Sequence, residues 1–264
     1  MVGCSSLLSS LLFWAFSILH FVSSETVLTS APARVHVLVC IEALCIDSKN
    51  FFYNSLVPAY TLLGPKIIDL EIVPYGNAKI NTSNNTVVCQ HGLGECDANT
   101  YEQCIIHTLT KNLPVPSTAD DTNDDHAITT TTKIMNIFFC LFESLPMGKK
   151  STPFDPPTTF QECCNYYHHD NDDGGDDFWT LVQTCHDDKI LSWQLLQEAA
   201  KETPTEHDHV PWVEINGVYM GDEAEDHDLL RSKICNEYLK GGGKHPACTV
   251  TTDGDMVTDN TMTS

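Results

Sequence analysis

Residues 35–52, VHVLVCIEALCIDSKNFF, decide the fold of this chain. The run from Val35 to Cys40 is apolar and mostly β-branched, which predicts a buried strand. After Cys45, the side chains of Asp47 and Ser48 can cap a helix, and the apolar residues that follow recur at helical spacing. The stretch therefore predicts a buried strand followed by a helix that begins close to Cys45.

A second strand is predicted over residues 66–73, where apolar side chains alternate with acidic ones until Pro74 ends the run. Strand, helix and strand in this order form the βαβ unit of a parallel sheet. Three later segments have helical spacing and predict a helical layer over that sheet: Ile134–Leu145, Pro157–Tyr167 and Phe178–Ala200.

The chain returns to strand character near its end. Apolar residues dominate His209–Ile215 and Val218–Met220, and the Asn216-Gly217 pair between them is a strong signal for a β-hairpin. A last helix is predicted over His227–Leu239, with a run of glycines from Gly241 as its stop. This order predicts an α/β protein with a thioredoxin-like fold, a helical insertion and disulfide-rich loops.

The chain has 264 residues, 42% of them hydrophobic, which is enough for one core, so we expect a single domain over residues 25–248. Residues 1–24 contain an uncharged apolar run that ends in small residues, which indicates a signal peptide. A membrane anchor is the alternative, since the run approaches the shortest length that spans a bilayer. The acidic, threonine-rich tail, residues 249–264, is predicted to be disordered.

Two polar, acidic segments interrupt the apolar pattern. Residues 117–133 (STADDTNDDHAITTTTK) and 168–177 (HHDNDDGGDD) lack an apolar period and predict exposed insertions. The aspartates and histidines of the second segment could bind a metal. Their spacing matches no calcium or zinc template, which favours a solvated loop.

The formal charge of −22 excludes two classes of partner. Nucleic acids and anionic membrane surfaces would both repel so acidic a chain. The 12 histidines would gain charge between about pH 7 and pH 5 and reduce self-repulsion in an acidic lumen, or they simply lie in polar loops. We expect no cofactor.

The 12 cysteines behind such a leader indicate an oxidising compartment, because disulfides form and persist there. Removal of Cys4 with the leader leaves eleven of the 12, an odd number, so one thiol should be free or paired outside the chain. Two sequons, at Asn81 and Asn84, predict glycosylation of a polar, hairpin-like stretch after Tyr75-Gly76-Asn77.

Cys45 is the candidate reactive thiol. A helix N-terminus favours the thiolate, the form that attacks disulfides, and Cys45 lies where the predicted strand meets the predicted helix. In Cys-x-x-Cys enzymes the second cysteine resolves the mixed disulfide, but Ser48 occupies that position here. Serine can donate a hydrogen bond to the thiolate and cannot attack the mixed disulfide, so release must wait for another thiol.

The residues around Cys45 leave alternatives open. Cys45 could be half of a structural bridge with Cys40, and Cys40 could instead be a substitute resolving thiol or simply pack in the strand. Val210-Pro211 suits a cis peptide that faces the reactive cysteine, where backbone groups could pair with a substrate strand.

Residues 89–104 carry the most specific pattern in the chain, Cys-Gln-His-Gly-Leu-Gly-Glu-Cys-Asp-Ala-Asn-Thr-Tyr-Glu-Gln-Cys. This stretch resembles the signature of the gamma-interferon-inducible lysosomal thiol reductase (GILT) family. All eight fixed positions match: Cys89, Gln90, His91, Gly92, Glu95, Cys96, Asn99 and Cys104. Residues 42–45, 73–78 and 210–213 are similar to the family in the same order, and the resemblance covers residues 35–114 and 134–248.

The resemblance implies a soluble lysosomal or secreted reductase that acts on protein disulfides at acid pH. It implies that Cys45 and the position of Ser48 form the redox pair and that Pro211 is in cis. The expected partners are disulfide-containing protein substrates and a small external thiol. No membrane partner is expected once the signal peptide is removed.

Structural disulfides are expected for most of the other cysteines. Cys235 and Cys248 would join the last helix to the tail, and Cys140 would meet one of the adjacent pair Cys163 and Cys164. The roles of Cys40, Cys164 and Cys185 stay open, and His91 could be catalytic, a metal ligand or neither. The residues expected in bridges are Cys89, Cys96, Cys104, Cys140, Cys163, Cys235 and Cys248.

The leading hypothesis is a thiol-disulfide oxidoreductase of an acidic or extracellular compartment, with Cys45 as nucleophile in a Cys-x-x-Ser variant of the site. The alternative is a non-enzymatic, thioredoxin-like secreted glycoprotein that binds extended polypeptides. A purely structural disulfide-rich protein is the third possibility, and it predicts that no native thiol is alkylated.

Overall fold

A four-stranded mixed sheet forms the centre of the computed structural model, which describes residues 32–111, 123–148, 155–167, 177–221 and 226–249. The strands are β1 (Val35–Ile41), β2 (Ile68–Pro74), β3 (Lys79–Asn81), β4 (Thr86–Val88), β5 (Trp212–Ile215) and β6 (Val218–Tyr219). The order in the sheet is β2-β1-β5-β6, and β3 pairs with β4 in a separate hairpin. β1 runs parallel to β2 and antiparallel to β5. The chain is therefore a mixed α/β protein, as the sequence predicts.

Eight α-helices surround the sheet in the described part of the chain. They are α1 (Ile46–Phe51), α2 (Val57–Leu63), α3 (Leu93–Thr110), α4 (Asn123–Ser144), α5 (Pro156–Tyr167), α6 (Phe178–Asp187), α7 (Lys189–Glu202) and α8 (His227–Lys240). A π-helical turn over Phe52–Leu56 joins α1 to α2. Pro58 follows this turn and has no N–H to donate to the preceding turn, which favours the local widening.

β1 is buried on both faces because its alternate side chains enter two different cores. Val37 and Ile41 pack in the larger core, which includes residues of α1, α2, α4 and α8. Leu38 and Cys40 pack in the smaller core with residues of α7. A strand that is covered on both sides has a nearly continuous apolar sequence, and for this reason VHVLVC predicted it correctly.

The segment predicted as one helix over Phe178–Ala200 is two helices. Asp188 separates α6 from α7 with a non-helical backbone (φ −72°, ψ 97°). Its carboxylate accepts hydrogen bonds from the N–H groups of Ile190 and Leu191 at 3.0 and 3.1 Å. Asp188 is thus the N-cap of α7, and apolar periodicity does not register a break of one residue.

α4 begins at Asn123, well before Ile134, where the apolar pattern placed its start. Residues 123–133 of the predicted insertion are therefore helical, with Thr129 and Thr132 exposed and Thr130 buried. Threonine is polar, so a run of threonines shows no apolar period even when it is helical. Its helix propensity is weak, and tertiary packing overrides that propensity here. The predicted signal peptide, residues 1–24, and the predicted tail after Thr249 lie outside the described residues, as do residues 117–122 and 168–176 of the two acidic segments.

Four disulfides join the described elements: Cys89–Cys96, Cys104–Cys185, Cys140–Cys163 and Cys235–Cys248. Cys185, which sequence reasoning left open, is the partner of Cys104. Cys40, Cys45 and Cys164 remain as buried thiols. The expectation of a single free thiol was wrong, because an odd cysteine count is satisfied equally by one thiol or by three. Within the described ranges every helix is too short or too polar to cross a bilayer.

Candidate active site

Cys45 lies at the N-terminus of α1, directly after the loop that follows β1. Its backbone is extended (φ −79°, ψ 124°), and its Sγ accepts a hydrogen bond from the N–H of Ser48 at 3.5 Å. The N–H of Cys45 donates to the carbonyl oxygen of Glu42 at 3.2 Å and closes the loop. Cys45 is therefore the N-cap of α1, where amide groups without helical partners face the sulfur.

Burial has the largest effect on the ionisation of Cys45, which is only 6% exposed. Desolvation raises the pKa of the thiol above its ordinary value, hydrogen bonds from Ser48 and the Asp47 amide lower it, and the charge of Glu42 raises it. The helix N-terminus favours the thiolate as expected, but the net direction of the pKa is upward.

Ser48 is fully buried and is part of the structure of the same loop. Its Oγ accepts a hydrogen bond from the N–H of Glu42 at 3.2 Å. The hydroxyl proton of Ser48 remains available to Cys45. Ser48 thus positions the loop and can donate to a thiolate, but it offers no sulfur.

The peptide bond between Val210 and Pro211 is cis, and it lies beside the Cys45 thiol. The carbonyl oxygen of Val210 is 4.0 Å from Cys45 Sγ, although 165 positions separate the two residues in sequence. The structure therefore brings together Cys45, Ser48 and the Val210-Pro211 peptide.

The two other thiols are in less reactive surroundings. Burial raises the pKa of Cys40 to about 12, and it raises the pKa of Cys164 to about 12 as well. Cys40 points into the smaller core and contacts Thr203, whereas Cys45 belongs to the helix N-terminus. Of the alternatives for Cys40, the structure shows a thiol that packs in the strand and is not bonded to Cys45.

The signature residues support the loop that carries Cys45. Gly92, with φ 92°, is the N-cap of α3, and the Cys89–Cys96 disulfide closes the turn around it. From α3, Asn99 Oδ1 accepts a hydrogen bond from the N–H of Ala43 at 2.9 Å. Gln90 Oε1 accepts a hydrogen bond at 2.8 Å from the side-chain amide of Asn77. The signature therefore acts as a scaffold for the turn between β1 and α1.

Glu42, His91 and Glu95 form a cluster next to this turn, which we call the Glu42 cluster. The side chains of Glu42 and Glu95 are fully buried, and that of His91 is 13% exposed. One oxygen of each carboxylate is held by a backbone N–H: Glu42 Oε1 by Asn77 at 2.7 Å and Glu95 Oε1 by His91 at 2.8 Å. The second oxygens face His91 Nδ1, at 2.5 Å for Glu95 and 3.6 Å for Glu42.

Burial raises the pKa of Glu42 to about 7, with a further contribution from the charge of Glu95, while the Asn77 hydrogen bonds lower it. Glu42 Oε2 is buried and lacks a hydrogen-bond partner among the described residues. Glu102 on α3 is fully buried, and both of its carboxylate oxygens also lack a hydrogen-bond partner among the described residues. Burial and the charge of Glu95 raise the pKa of Glu102 well above its usual range.

The Glu42 cluster also has the donor atoms that could hold a divalent cation. However, His91 Nδ1 and Glu95 Oε2 are 2.5 Å apart, which is the distance of a hydrogen bond. Two ligands of one tetrahedral zinc ion, each about 2.0–2.1 Å from the metal, lie about 3.3 Å apart. The spacing therefore fits a shared proton better than a metal ion.

Sequence reasoning quoted Glu42 and Glu102 but assigned neither of them a function. The available signal was a carboxylate in an otherwise apolar stretch, as in Ile41-Glu42-Ala43-Leu44-Cys45. A charged residue in such a run is either exposed at a turn or buried with partners for its charge, and periodicity does not separate the two cases. Only the packing of α3 against this turn shows that Glu42 is buried.

A family model described as gamma interferon inducible lysosomal thiol reductase (GILT) matches residues 36–167 of this chain. The matched residues include Cys45, the β3–β4 hairpin and the whole signature stretch. The match therefore covers every part of the candidate site except the Val210-Pro211 peptide.

Proteins with related sequences carry names that agree with this match. The gamma-interferon-inducible lysosomal thiol reductase of Carassius auratus is 28% identical over 226 residues, which cover 81% of this chain and 72% of the relative. The Mus musculus protein of the same name is 28% identical over 236 residues, with 85% and 75% covered. The gamma-interferon-responsive lysosomal thiol protein of Arabidopsis thaliana is 26% identical over 236 residues, with 89% and 83% covered. The similarity thus extends over most of each chain.

Proposed function

Because this chain belongs to the gamma-interferon-inducible lysosomal thiol reductase family, we propose that it is a thiol-disulfide oxidoreductase with Cys45 as its nucleophile. The observation that carries the proposal is the position of Cys45. Its sulfur accepts a hydrogen bond at the N-terminus of α1, and a cis proline peptide lies beside it. These are the features that thiol attack on a disulfide requires: an oriented sulfur and a neighbouring backbone edge for the substrate.

We assign the sheet around Cys45 to a thioredoxin-like fold. The parallel pair β1 and β2, the helix that begins at Cys45 and the antiparallel hairpin β5–β6 support this assignment. Helices α3 to α7 lie between β2 and β5 in sequence and form the proposed helical insertion.

The first chemical step is attack of the Cys45 thiolate on one sulfur of a substrate disulfide. A bond forms between Cys45 Sγ and that sulfur, the substrate S–S bond breaks, and the second substrate sulfur leaves as a thiolate. The amides of Ser48 and Asp47 lower the pKa of Cys45 and thus stabilise the attacking thiolate. The Val210 carbonyl, 4.0 Å from Sγ, is placed to hold the substrate chain near the sulfur.

The second step requires a thiol from outside the chain, because Ser48 stands at the resolving position. An external thiolate attacks Cys45 Sγ in the mixed disulfide and releases the second substrate thiol. A second external thiol then regenerates Cys45 and leaves as a disulfide with the first. The sum is one substrate disulfide reduced to two thiols and two external thiols oxidised to one disulfide.

The compartment in this proposal is an acidic or extracellular one that is reached through the secretory pathway. Relatives of the chain have "lysosomal" in their names, and four disulfides suit an oxidising route. Asn81 and Asn84 are exposed on the β3–β4 hairpin, as N-glycosylation would require. We propose proteins with accessible disulfides as substrates.

Reduction of a denatured disulfide protein at acid pH, with a small thiol as reductant, tests the proposal. We expect Cys45→Ala to lose the activity and Cys40→Ala, which removes another buried thiol, to keep it. Equal rates for wild type and Cys45→Ala would exclude this function.

A second candidate function is non-catalytic binding of extended polypeptides along the Val210-Pro211 edge. Ser48 favours it, because the chain has no resolving sulfur at that position. Under this alternative the wild type is inert as a reductase, Ser48→Cys gains activity strongly, and Cys45→Ala still binds an unfolded polypeptide. Turnover by the wild type itself favours the oxidoreductase.

A further inference from the structure

Glu42 connects the signature residues to Cys45 and Ser48. Its backbone N–H donates to Ser48 Oγ at 3.2 Å, and its carbonyl oxygen accepts from the N–H of Cys45 at 3.2 Å. Its side chain meets His91 and the N–H of Asn77. A change in the charge of Glu42 therefore takes place within the loop that holds the reactive sulfur.

The groups that face Glu42 supply little positive charge. Within the described residues, His91 is the ion-pair partner of both Glu42 and Glu95. The turn after β2 contributes the neutral N–H of Asn77, and α3 contributes Glu95, whose charge raises the pKa of both Glu42 and Glu102. When Glu42 and Glu95 are both ionised, one histidine cannot neutralise them, and a buried negative charge remains next to Cys45.

We propose that Glu42 is a positioning residue that controls thiolate formation at Cys45 by holding a proton in acid and by carrying an opposing negative charge as the pH rises. The inference rests on the proposed function only in taking Cys45 as the nucleophile. The charge of Glu42 contributes to the raised pKa of Cys45. Two interacting groups that each become negative disfavour each other's ionised form, so their titrations are coupled. In an acidic lumen the thiolate would lose its repulsive neighbour, which partly offsets the low pH.

This role gives the signature residues a purpose beyond their disulfide. His91 and Glu95 fix the position of the Glu42 carboxylate, and His91 is the member of the cluster that reaches solvent. Asn77 and Asn99 hold the same loop through neutral hydrogen bonds and contribute no charge.

The pH dependence of Cys45 alkylation tests the proposal without any disulfide substrate. Iodoacetamide is the probe, and peptide mass spectrometry reads the rate at Cys45 in the full chain between about pH 5 and pH 11. Glu42→Gln removes the charge and keeps the shape and an acceptor for Asn77. We expect its alkylation midpoint to lie roughly 0.5 to 1 pH unit below that of the wild type.

The pH at which the variants differ separates a charge effect from a structural one. The rates should differ by about threefold to tenfold near pH 8 and converge near pH 5, where Glu42 of the wild type already holds its proton. The matched control is Glu102→Gln, another fully buried glutamate of the same region, which should leave the profile unchanged. Superimposed profiles of wild type and Glu42→Gln, or an equal change at both pH values, overturn the proposal.

A second measurement covers the case in which Glu42→Gln does not fold. Infrared spectra of Glu102→Gln, which retains Glu42, should show a carboxylic-acid C=O band near pH 5 that disappears by about pH 8. Absence of that band rejects a proton on Glu42. If EDTA changes the alkylation profile of the wild type, the Glu42 cluster holds a metal ion in place of a proton, and the proposal is also rejected. Loss of reductase activity with an intact profile would reject the proposed function alone.

Discussion

Two groups of one histidine and two carboxylates lie at the same end of α3, and their surroundings differ. In the Glu42 cluster both carboxylates are fully buried. In the second group, which we call the His186 cluster, His186 contacts Asp97 at 2.9 Å and Asp187 at 3.2 Å, and these carboxylates are 42% and 65% exposed. A histidine with two carboxylates thus occurs once with buried carboxylates and once with exposed ones.

The carboxylate pKa values move in opposite directions in the two clusters. Burial raises the pKa of Glu42 to about 7, whereas the hydrogen bond from His186 lowers the pKa of Asp187. For His186, burial lowers the pKa, but its hydrogen bonds to Asp97 and Asp187 outweigh this and the net direction is upward. Solvation therefore decides in which direction the pKa of a carboxylate beside a histidine moves.

The largest expected effect concerns the covalent support of the His186 cluster. The Cys104–Cys185 disulfide joins α3 to α6 across 81 positions, so it restrains a long loop in the unfolded chain. Cys104→Ser/Cys185→Ser should lower the free energy of unfolding by about 4 kcal/mol in urea titrations. The control Cys235→Ser/Cys248→Ser opens a bridge with a separation of 13 and should cost about 3 kcal/mol. A larger loss for the short loop would contradict the loop-entropy argument.

The Glu42 cluster should make the protein more stable in acid. The folded state keeps the Glu42 proton up to about pH 7, while the unfolded chain releases it near the ordinary value of 4.5. The folded state therefore binds more protons in this window, and this contribution to stability is lost as the pH rises from 4.5 through 7. Its size is roughly 3 kcal/mol. Urea unfolding at a series of pH values should show a flatter dependence for Glu42→Gln, and identical slopes would contradict the assignment.

Gly76 allows the Glu42 side chain to pack where it does. With φ +54°, a Cβ at this position would lie 2.3 Å from Glu42 Cγ. Gly76→Ala should cost roughly 2 to 3 kcal/mol from overpacking and backbone strain and should disturb Cys45 alkylation. Gly217→Ala, at φ +76° with open space around the Cβ, is the control for strain alone. Similar losses in thermal unfolding would show that the contact with Glu42 contributes nothing.

The smallest expected effect comes from the charge of the His186 cluster. The rings of His186 and Tyr101 stack with centroids 3.8 Å apart, and phenylalanine can retain that contact. Because the pKa of His186 is raised in the folded state, its stabilisation is complete in acid and is lost as the pH rises through that value. His186→Phe should lower the free energy of unfolding by about 1 kcal/mol near pH 6 and by less near pH 8. A loss that is independent of pH would assign the effect to packing.

Local patterns predicted much of this fold, and their failures have physical causes. β1, the helix start at Cys45 and the Asn216-Gly217 hairpin depend on neighbouring residues, so the sequence was sufficient for them. The start of α4 at Asn123 was missed because its first turns are polar. The break at Asp188 was missed because one capping side chain leaves the apolar period intact.

The candidate site could be predicted in part. Cys45 and Ser48 are adjacent on one helical turn, so their proximity follows from sequence spacing. The contact with Val210 depends on how β5 pairs with β1, and the pattern of the late strand could only suggest it. The cluster behind the loop was not predicted, since it joins Glu42 to residues of a distant helix.

The sequence by itself determined the strand-helix-strand unit around Cys45, the late hairpin with its following helix, the position of the thiol at a helix start and the match to the signature. These properties are local, because they follow from side-chain periodicity and from residues a few positions apart. The tertiary structure alone decided that Cys104 pairs with Cys185 and that Glu42 is buried while Asp187 remains in water. Disulfide pairing and burial depend on which distant segments of the chain pack together, and burial in turn sets the pKa of a carboxylate.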